Sequence, residues 1–269
     1  MKIKLGFSTC PNDTFMFDAM VHHRIDTGSY SFEVILADIL HLNQMAMAGE
    51  LDMVKVSYQT YGHVRNQYQL LDAGSALGHN CGPLLISKNE LTVEELIEQN
   101  LPVAIPGHNT TANLLLGYFA PDLVNKQEMI FHEVMPAIES SEVAAGVIIH
   151  ENRFTYQQHG LRLIQDLGEY WEGETGTPIP LGAILARQSL GEIAIRDLEN
   201  IMRESVKHAF SNPEDTMPYV RAHAQEMDDE VMKAHIDLYV NEFSVSLGDT
   251  GREAVDTLLS AGKEMGMFS

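Results

Sequence analysis

Short apolar runs alternate along this chain with longer segments whose apolar positions recur every three or four residues. The runs are Ile3–Ser8, Phe32–Ala37, Met53–Ser57, Pro83–Ser87, Val103–Ile105, Met129–Val134, Gly146–Ile149, Leu161–Asp166 and Leu181–Ala186. Between them the spacing predicts helices near 14–23, 39–49, 58–67, 92–99, 111–120, 136–143 and 153–159. Strand, turn and helix in repeated order predict α/β architecture with mostly parallel sheets. Past Leu190 only helical spacing remains, as in Ala194, Leu198, Ile201, Ser205 and Ala209. Further helices are predicted near 213–225, 228–240 and 250–265, broken at Asn212-Pro213 and Gly248-Asp249. Nine strand candidates can form one sheet or two, and two sheets imply two lobes with a cleft between them. Pro83–Lys88 and Leu181–Arg187 are the expected crossings, giving lobe one as 1–85 plus 187–269 and lobe two as 86–186.

Ligands of open parallel sheets sit beyond the carboxyl ends of the strands, so the residues that follow each run are the candidates. After the first run come Cys10-Pro11-Asn12-Asp13-Thr14. Asn12, Asp13 or Thr14 can cap the next helix, and the free N–H groups there can hold an anion. Cys10 as a nucleophile has no base beside it in sequence. Lys55 interrupts the apolar run Met-Val-Lys-Val-Ser. It either reaches solvent at a sheet edge or lines the cleft and meets an anion, because a lone buried ammonium is costly. Thr110 and Thr111 follow Pro-Gly-His-Asn and open a helix, where hydroxyls serve as caps or hold a carboxylate or sugar hydroxyl. His150 ends the most strand-like run and is either a satisfied core histidine or a proton carrier. Arg153 could pair with Glu151 or with an anionic substrate.

Composition narrows the classes. The chain has 269 residues, 45% hydrophobic and 20% charged, an ordinary globular balance that excludes a disordered chain. Seventeen basic against 38 acidic residues leave a formal charge of −21, which argues against nucleic acid and anionic membranes as partners. A small anionic ligand, held by one lysine and helix N-termini, remains compatible with that charge. No run approaches the roughly 18 apolar residues of a membrane span. The first eight residues read as a strand and not as a secretion signal, which predicts a cytoplasmic protein. Cys10 and Cys81 form no redox or metal pair, and no His-Glu-x-x-His occurs, so no metal is expected. No phosphate loop or dinucleotide fingerprint is present, so no cofactor is expected. The apolar faces of the helical tail suit a core or a homo-oligomer interface equally.

Taken in order, these strand ends resemble one family. Its motifs look like Ser-Thr-Cys-Pro-Asn-Asp-Thr-Phe at 8–15, Lys-Val-Ser-Tyr at 55–58 and Pro-Gly-His-Asn-Thr-Thr-Ala at 106–112. Ala-Gly-Val-Ile-Ile-His-Glu-Asn-Arg-Phe-Thr-Tyr at 145–156 and Pro-Leu-Gly-Ala-Ile-Leu-Ala-Arg at 180–187 continue the series. Arg-Ala-His-Ala-Gln-Glu at 221–226 and Tyr-Val-Asn-Glu-Phe-Ser at 239–244 extend it into the tail. The chain thus resembles the 1,4-dihydroxy-6-naphthoate synthases of the futalosine route to menaquinone. That resemblance implies a two-lobed fold similar to periplasmic solute-binding proteins. It also implies a lyase that converts cyclic dehypoxanthinylfutalosine to 1,4-dihydroxy-6-naphthoate, releasing a three-carbon fragment such as dihydroxyacetone. The family's proton acceptor falls on His150, and its substrate-contact stretches fall on Lys55, Val56 and Ser57 and on Thr111 and Ala112. Roles for Asn12, Asp13, Thr110 and Arg153 rest on the residues alone. The alternatives are a non-catalytic solute-binding protein of the same fold, the related chorismate dehydratase, and a metal hydrolase.

Overall fold

The structure, a computed structural model, describes residues 1–224 and 228–268. The chain first lays down β1 (Lys2–Phe7), β2 (Ser31–Leu36), β3 (Met53–Ser57), β4 (Tyr68–Leu70) and β5 (Ala76–Gly78). It then builds a second sheet from β6 (Leu84–Ser87), β7 (Val103–Ile105), β8 (Lys126–Glu128), β9 (Ala145–Ile148) and β10 (Arg162–Asp166). It returns to the first sheet with β11 (Ile179–Arg187). The helices between strands are α1 (Pro11–Val21), α2 (Ile39–Met47), α3 (Tyr58–Val64), α4 (Val93–Glu98), α5 (Thr111–Phe119), α6 (Phe131–Glu139), α7 (Asn152–Thr155) and α8 (Leu167–Thr175). The tail is α9 (Glu192–Ser211), α10 (Pro213–His223), α11 (Asp229–Tyr239), α12 (Glu242–Val245) and α13 (Gly248–Glu264). Residue 225, the expected end of one tail helix, and the motif residues 225–226 lie outside the described residues.

Sheet one has the order β2-β1-β3-β11-β4, with β5 also on β11; sheet two has the order β10-β6-β9-β7-β8. Both are mixed, where the pattern of runs predicts mostly parallel strands. β1, β2 and β3 are parallel, as are β7, β8 and β9. β11 runs antiparallel to β3, β4 and β5, and β6 runs antiparallel to β9 and β10. The reversed strands β6 and β11 are those that arrive from the other sheet. No helix separates β5 from β6, and the helix before β11, α8, leads in from the other sheet instead of returning to a neighbouring strand.

The crossings lie elsewhere than expected. Leu84–Ser87 is wholly a strand of sheet two, and Ile179–Arg187 is wholly a strand of sheet one. A continuous apolar run fits a strand paired on both edges, not a link between lobes. The links are residues 79–83 and 167–178, so the return falls before 179 and not at 187. The two links touch: a Cβ on Gly82 would collide with the Cα of Gly168, and Leu167 N donates to Pro83 O at 3.0 Å.

Met129–Val134, read as a strand, instead enters helix α6. Phe131, Val134, Met135 and Ile138 are buried together at helical spacing, and that period outweighs the short apolar run. In the tail, Ala194, Ile195, Leu198, Ile201, Met202, Ser205, Val206 and Ala209 form the buried face of α9. Its neighbour is α1, with Ser205 Oγ donating to Met16 O at 2.6 Å and accepting from Met20 N at 3.1 Å. Packing of α9, α10 and α11 against α1 explains why every residue from Pro11 to Met20 is buried. That face of the tail is therefore core.

Candidate active site

Three strand-to-helix turns, β1–α1, β3–α3 and β7–α5, open onto one cavity. Asn12, Asp13, Lys55, Ser57, Leu181 and Gly182 line it from sheet one, and Thr110, Thr111, Ala112, Ile149 and His150 from sheet two. Tyr239 of α11 closes one side.

Lys55 sits on the central strand β3, only 4% exposed, so it is not at a sheet edge. It reaches the cavity, and the anion it meets is Asp13, with Nζ–Oδ1 at 2.8 Å. Asp13 is further held by Ser8 N at 3.2 Å and Ser8 Oγ at 2.7 Å on Oδ2, and by Asn12 Nδ2 at 3.0 Å on Oδ1. A buried ion pair persists only when its remaining lone pairs are satisfied in this way. Gly182 on the facing strand supplies the room, since a Cβ there would stand 2.5 Å from Lys55 Cε. Asn12 and Asp13 are thus committed to one another and to Lys55, and the cap role expected of them is taken by neither.

Ser57 is fixed by Asn43 of α2, which donates Nδ2 to Ser57 Oγ at 3.1 Å and accepts from Ser57 N at 2.9 Å. Ser57 Oγ accepts in that contact, so its own proton is free for a ligand. Val56 is fully buried in the core on the other face of β3 and lines no part of the cavity wall. Thr110 caps α5, accepting from Asn113 N at 3.3 Å and donating to Gly107 O at 2.7 Å. Thr111 Oγ1 donates to Leu181 O at 2.9 Å, tying a helix of sheet two to β11 of sheet one. The N–H groups of Thr111 and Ala112, in the first turn, have no intrahelical acceptor.

His150 follows β9 with φ +57°, the left-handed region that non-glycine residues seldom occupy. Its ring lies edge-on to Phe131, centroids 5.0 Å apart, and stacks at 6.0 Å on His235 of α11. The bend turns the imidazole into the cavity that also holds Ser57 and Thr111. Arg153 is not on the wall. It pairs with neither Glu151 nor the cavity; α7 turns it toward Asp166, with Nη2–Oδ2 at 2.7 Å, and to Gly82 O. It braces the two crossings instead.

Cys10 is fully buried, and desolvation, reinforced by the Glu151 carboxylate, pushes its thiol well above the usual range. That corrects the nucleophile reading, because the thiolate is the reactive form. Cys10, His150 and Glu151 each bring one donor atom within 4.8 Å of the others. Of these three residues only His150 lines the cavity. Burial pushes Cys81 up to about 12, and it pushes His235 well below 6.5, with His150 and Lys55 adding to the effect. Sequence reading missed Asn43, His235 and Tyr239. The last two share one face of α11 four residues apart, but a helix in the tail carries no strand-end signal.

A family model described as menaquinone biosynthesis matches residues 3–264. The chain belongs to that menaquinone biosynthesis family. Among its relatives is a 1,4-dihydroxy-6-naphthoate synthase of Thermus thermophilus, 45% identical over 98% of this chain and 95% of that protein. A second, from Streptomyces coelicolor, carries the same name and is 45% identical over 98% of this chain and 94% of its own. A solved structure of an Archaeoglobus fulgidus protein superposes with TM-score 0.93 at 30% identity, covering 99% and 98% of the two chains. The alkanesulfonate-binding protein of Xanthomonas axonopodis, at TM-score 0.72 and 11% identity over 100% of this chain and 94% of its own, shares the fold. The menaquinone biosynthesis family member described here therefore has the periplasmic-binding-protein-like architecture, with a helical C-terminal region.

Proposed function

We propose that this protein is a 1,4-dihydroxy-6-naphthoate synthase, a carbon–carbon lyase that converts cyclic dehypoxanthinylfutalosine to 1,4-dihydroxy-6-naphthoate and dihydroxyacetone. Near-full-length identity of 45% to two relatives of that name carries the reading. The cavity supports it by pairing one imidazole with an anion-holding wall. Loss of the three-carbon fragment leaves the ring system aromatic, so the conversion needs no external oxidant. His150 is the general base: it takes a hydroxyl proton of the sugar-derived portion, and a retro-aldol cleavage follows. Lys55, the Ser57 hydroxyl and the N–H groups of Thr111 and Ala112 hold the carboxylate and the developing oxyanion. Asn12 and Asp13 serve by fixing Lys55, Thr110 by capping α5, and Val56 through its backbone alone.

The two sheets and their helices act as lobes that close over the substrate, hinged at 79–83 and 167–178, and so exclude water. Among the described residues no helix is long and apolar enough to cross a membrane. A cytoplasmic location is part of the proposal, because a biosynthetic role would suit it. The test is to mix purified protein with cyclic dehypoxanthinylfutalosine and quantify both products. Equimolar naphthoate and dihydroxyacetone are expected. Binding without product would mark a solute receptor of the same fold, and turnover of chorismate alone would mark the dehydratase.

A further inference from the structure

Behind His150 lies a contact that the proposed reaction has not yet used. Glu151, 5% exposed, has Oε2 buried with no hydrogen-bond partner among the described residues. His235, fully buried, has Nδ1 in the same condition, and the two atoms face each other at 4.0 Å. Proton bookkeeping fixes what lies between them. Lys55 and two Ser8 donors hold Asp13 as an acceptor, so Asn12 must turn its Nδ2 to Asp13 and its Oδ1 to His235. His235 Nε2, 3.0 Å from that Oδ1, is therefore the protonated nitrogen. A neutral His235 then aims a bare lone pair at a carboxylate oxygen. Two buried, unpartnered acceptors facing each other are costly.

We infer that Glu151 and His235 hold one proton between Oε2 and Nδ1, and that this dyad positions His150 for proton transfer. A side-chain adjustment of about 1.2 Å brings the pair to hydrogen-bond distance. The pair spans the cleft. Glu151 follows β9 of sheet two, whereas His235 lies on α11, which packs on α1 and β5 of sheet one. Glu151 is also the residue next to the left-handed His150, and such a backbone persists only where its surroundings hold it. His235 supplies the second hold as the ring on which His150 stacks. The other ionisable groups facing the dyad are Cys10 of the turn before α1, Lys55 of β3, and Tyr239 of α11, whose ring is 4.6 Å from His235. Neither Glu151 nor His235 lines the cavity, so both act through His150 and not on substrate.

This inference rests on the synthase reading for its kinetics, and the experiment separates the two. Nitrogen-15 NMR of the full-length protein at neutral pH reads His235 directly. The expected signature is Nε2 protonated and Nδ1 sharing a hydrogen bond; a bare Nδ1, or an Nδ1–H tautomer, overturns the dyad whatever the enzyme does. In turnover assays Glu151→Ala should lose tenfold or more in kcat with KM changed less than threefold. Glu151→Gln, whose amide can donate to Nδ1, should recover most of that loss. His235→Gln keeps the bond to Asn12 but removes Nδ1, and should behave like Glu151→Ala. A Glu151→Gln variant as impaired as Glu151→Ala, or KM rising in step with the fall in kcat, overturns the positioning role. Absence of turnover in the wild-type protein would count against the synthase reading and leave the NMR result to decide the dyad.

Discussion

At the scale of single residues, the site divides into groups that can change protonation and groups that hold them still. His150, the proposed proton carrier, lies on the cavity wall. Replacing it with Asn keeps a polar group but removes the base, so turnover should fall about 10²–10⁴-fold while substrate affinity stays near wild type. Single-turnover assays and calorimetric titration check the two halves; a folded His150→Asn protein with retained turnover rejects the assignment. Lys55 tests the anion-holding wall. Lys55→Met leaves Asp13 as an uncompensated carboxylate at 1% exposure. Breaking such a pair costs about 3–5 kcal/mol. A large fall in Tm is therefore expected, and the double change Lys55→Met with Asp13→Asn should recover much of it. In that more stable double variant the substrate should still bind weakly, which isolates the contact to ligand from the contribution to folding.

At the scale of elements, the strand ends carried more information than the strands. Ser57, Thr110, Thr111 and His150 were legible because a polar residue after a buried run marks a carboxyl end. The same reasoning fails where an apolar run reads as a link. Leu181–Arg187 had the right composition for a central strand, and nothing local distinguishes a strand from a crossing of equal hydrophobicity. Arg153 was misplaced because its partner, Asp166, lies thirteen residues on at the end of another strand. Three-residue strands such as β8 are too short to show a period, and α8 was hidden by Gly168 and Gly173. The α5 cap offers a test at this scale. Thr110 both accepts from Asn113 N and donates to the carbonyl of Gly107, whose φ of +138° only glycine adopts readily. Thr110→Ala should destabilise by about 1 kcal/mol in urea unfolding. It should also weaken substrate binding, since the same turn presents the Thr111 and Ala112 N–H groups. Thr110→Ser, which keeps both bonds, should do neither.

At the scale of the whole molecule, the first link and the cavity wall meet at a buried thiol whose charged form the fold disfavours. Cys81 belongs to the crossing at 79–83 and borders the cavity, and burial, with the Glu172 carboxylate adding, raises its thiol from 9.0 to about 12. In the unfolded chain that thiol ionises near 9.0, so from there upward the unfolded state binds fewer protons than the folded one. The stability that Cys81 contributes is therefore fully present below about pH 9 and is lost as pH rises toward 12. A single thiol contributes a slope of at most about 1.4 kcal/mol per pH unit. Cys10, raised for the same reason, adds to the same alkaline limb. Urea unfolding between pH 8 and pH 10.5 should show midpoints that fall with pH. Cys81→Ala should flatten that fall while lowering the midpoint at pH 8, because a small cavity replaces the sulfur. The same burial predicts that native protein resists iodoacetamide at pH 8, and that a ligand closing the two sheets over the cavity slows alkylation further. Rapid alkylation of Cys81 in the folded state, or a pH profile unchanged by Cys81→Ala, would place this residue in a far more open hinge than the contact between Gly82 and Gly168 allows.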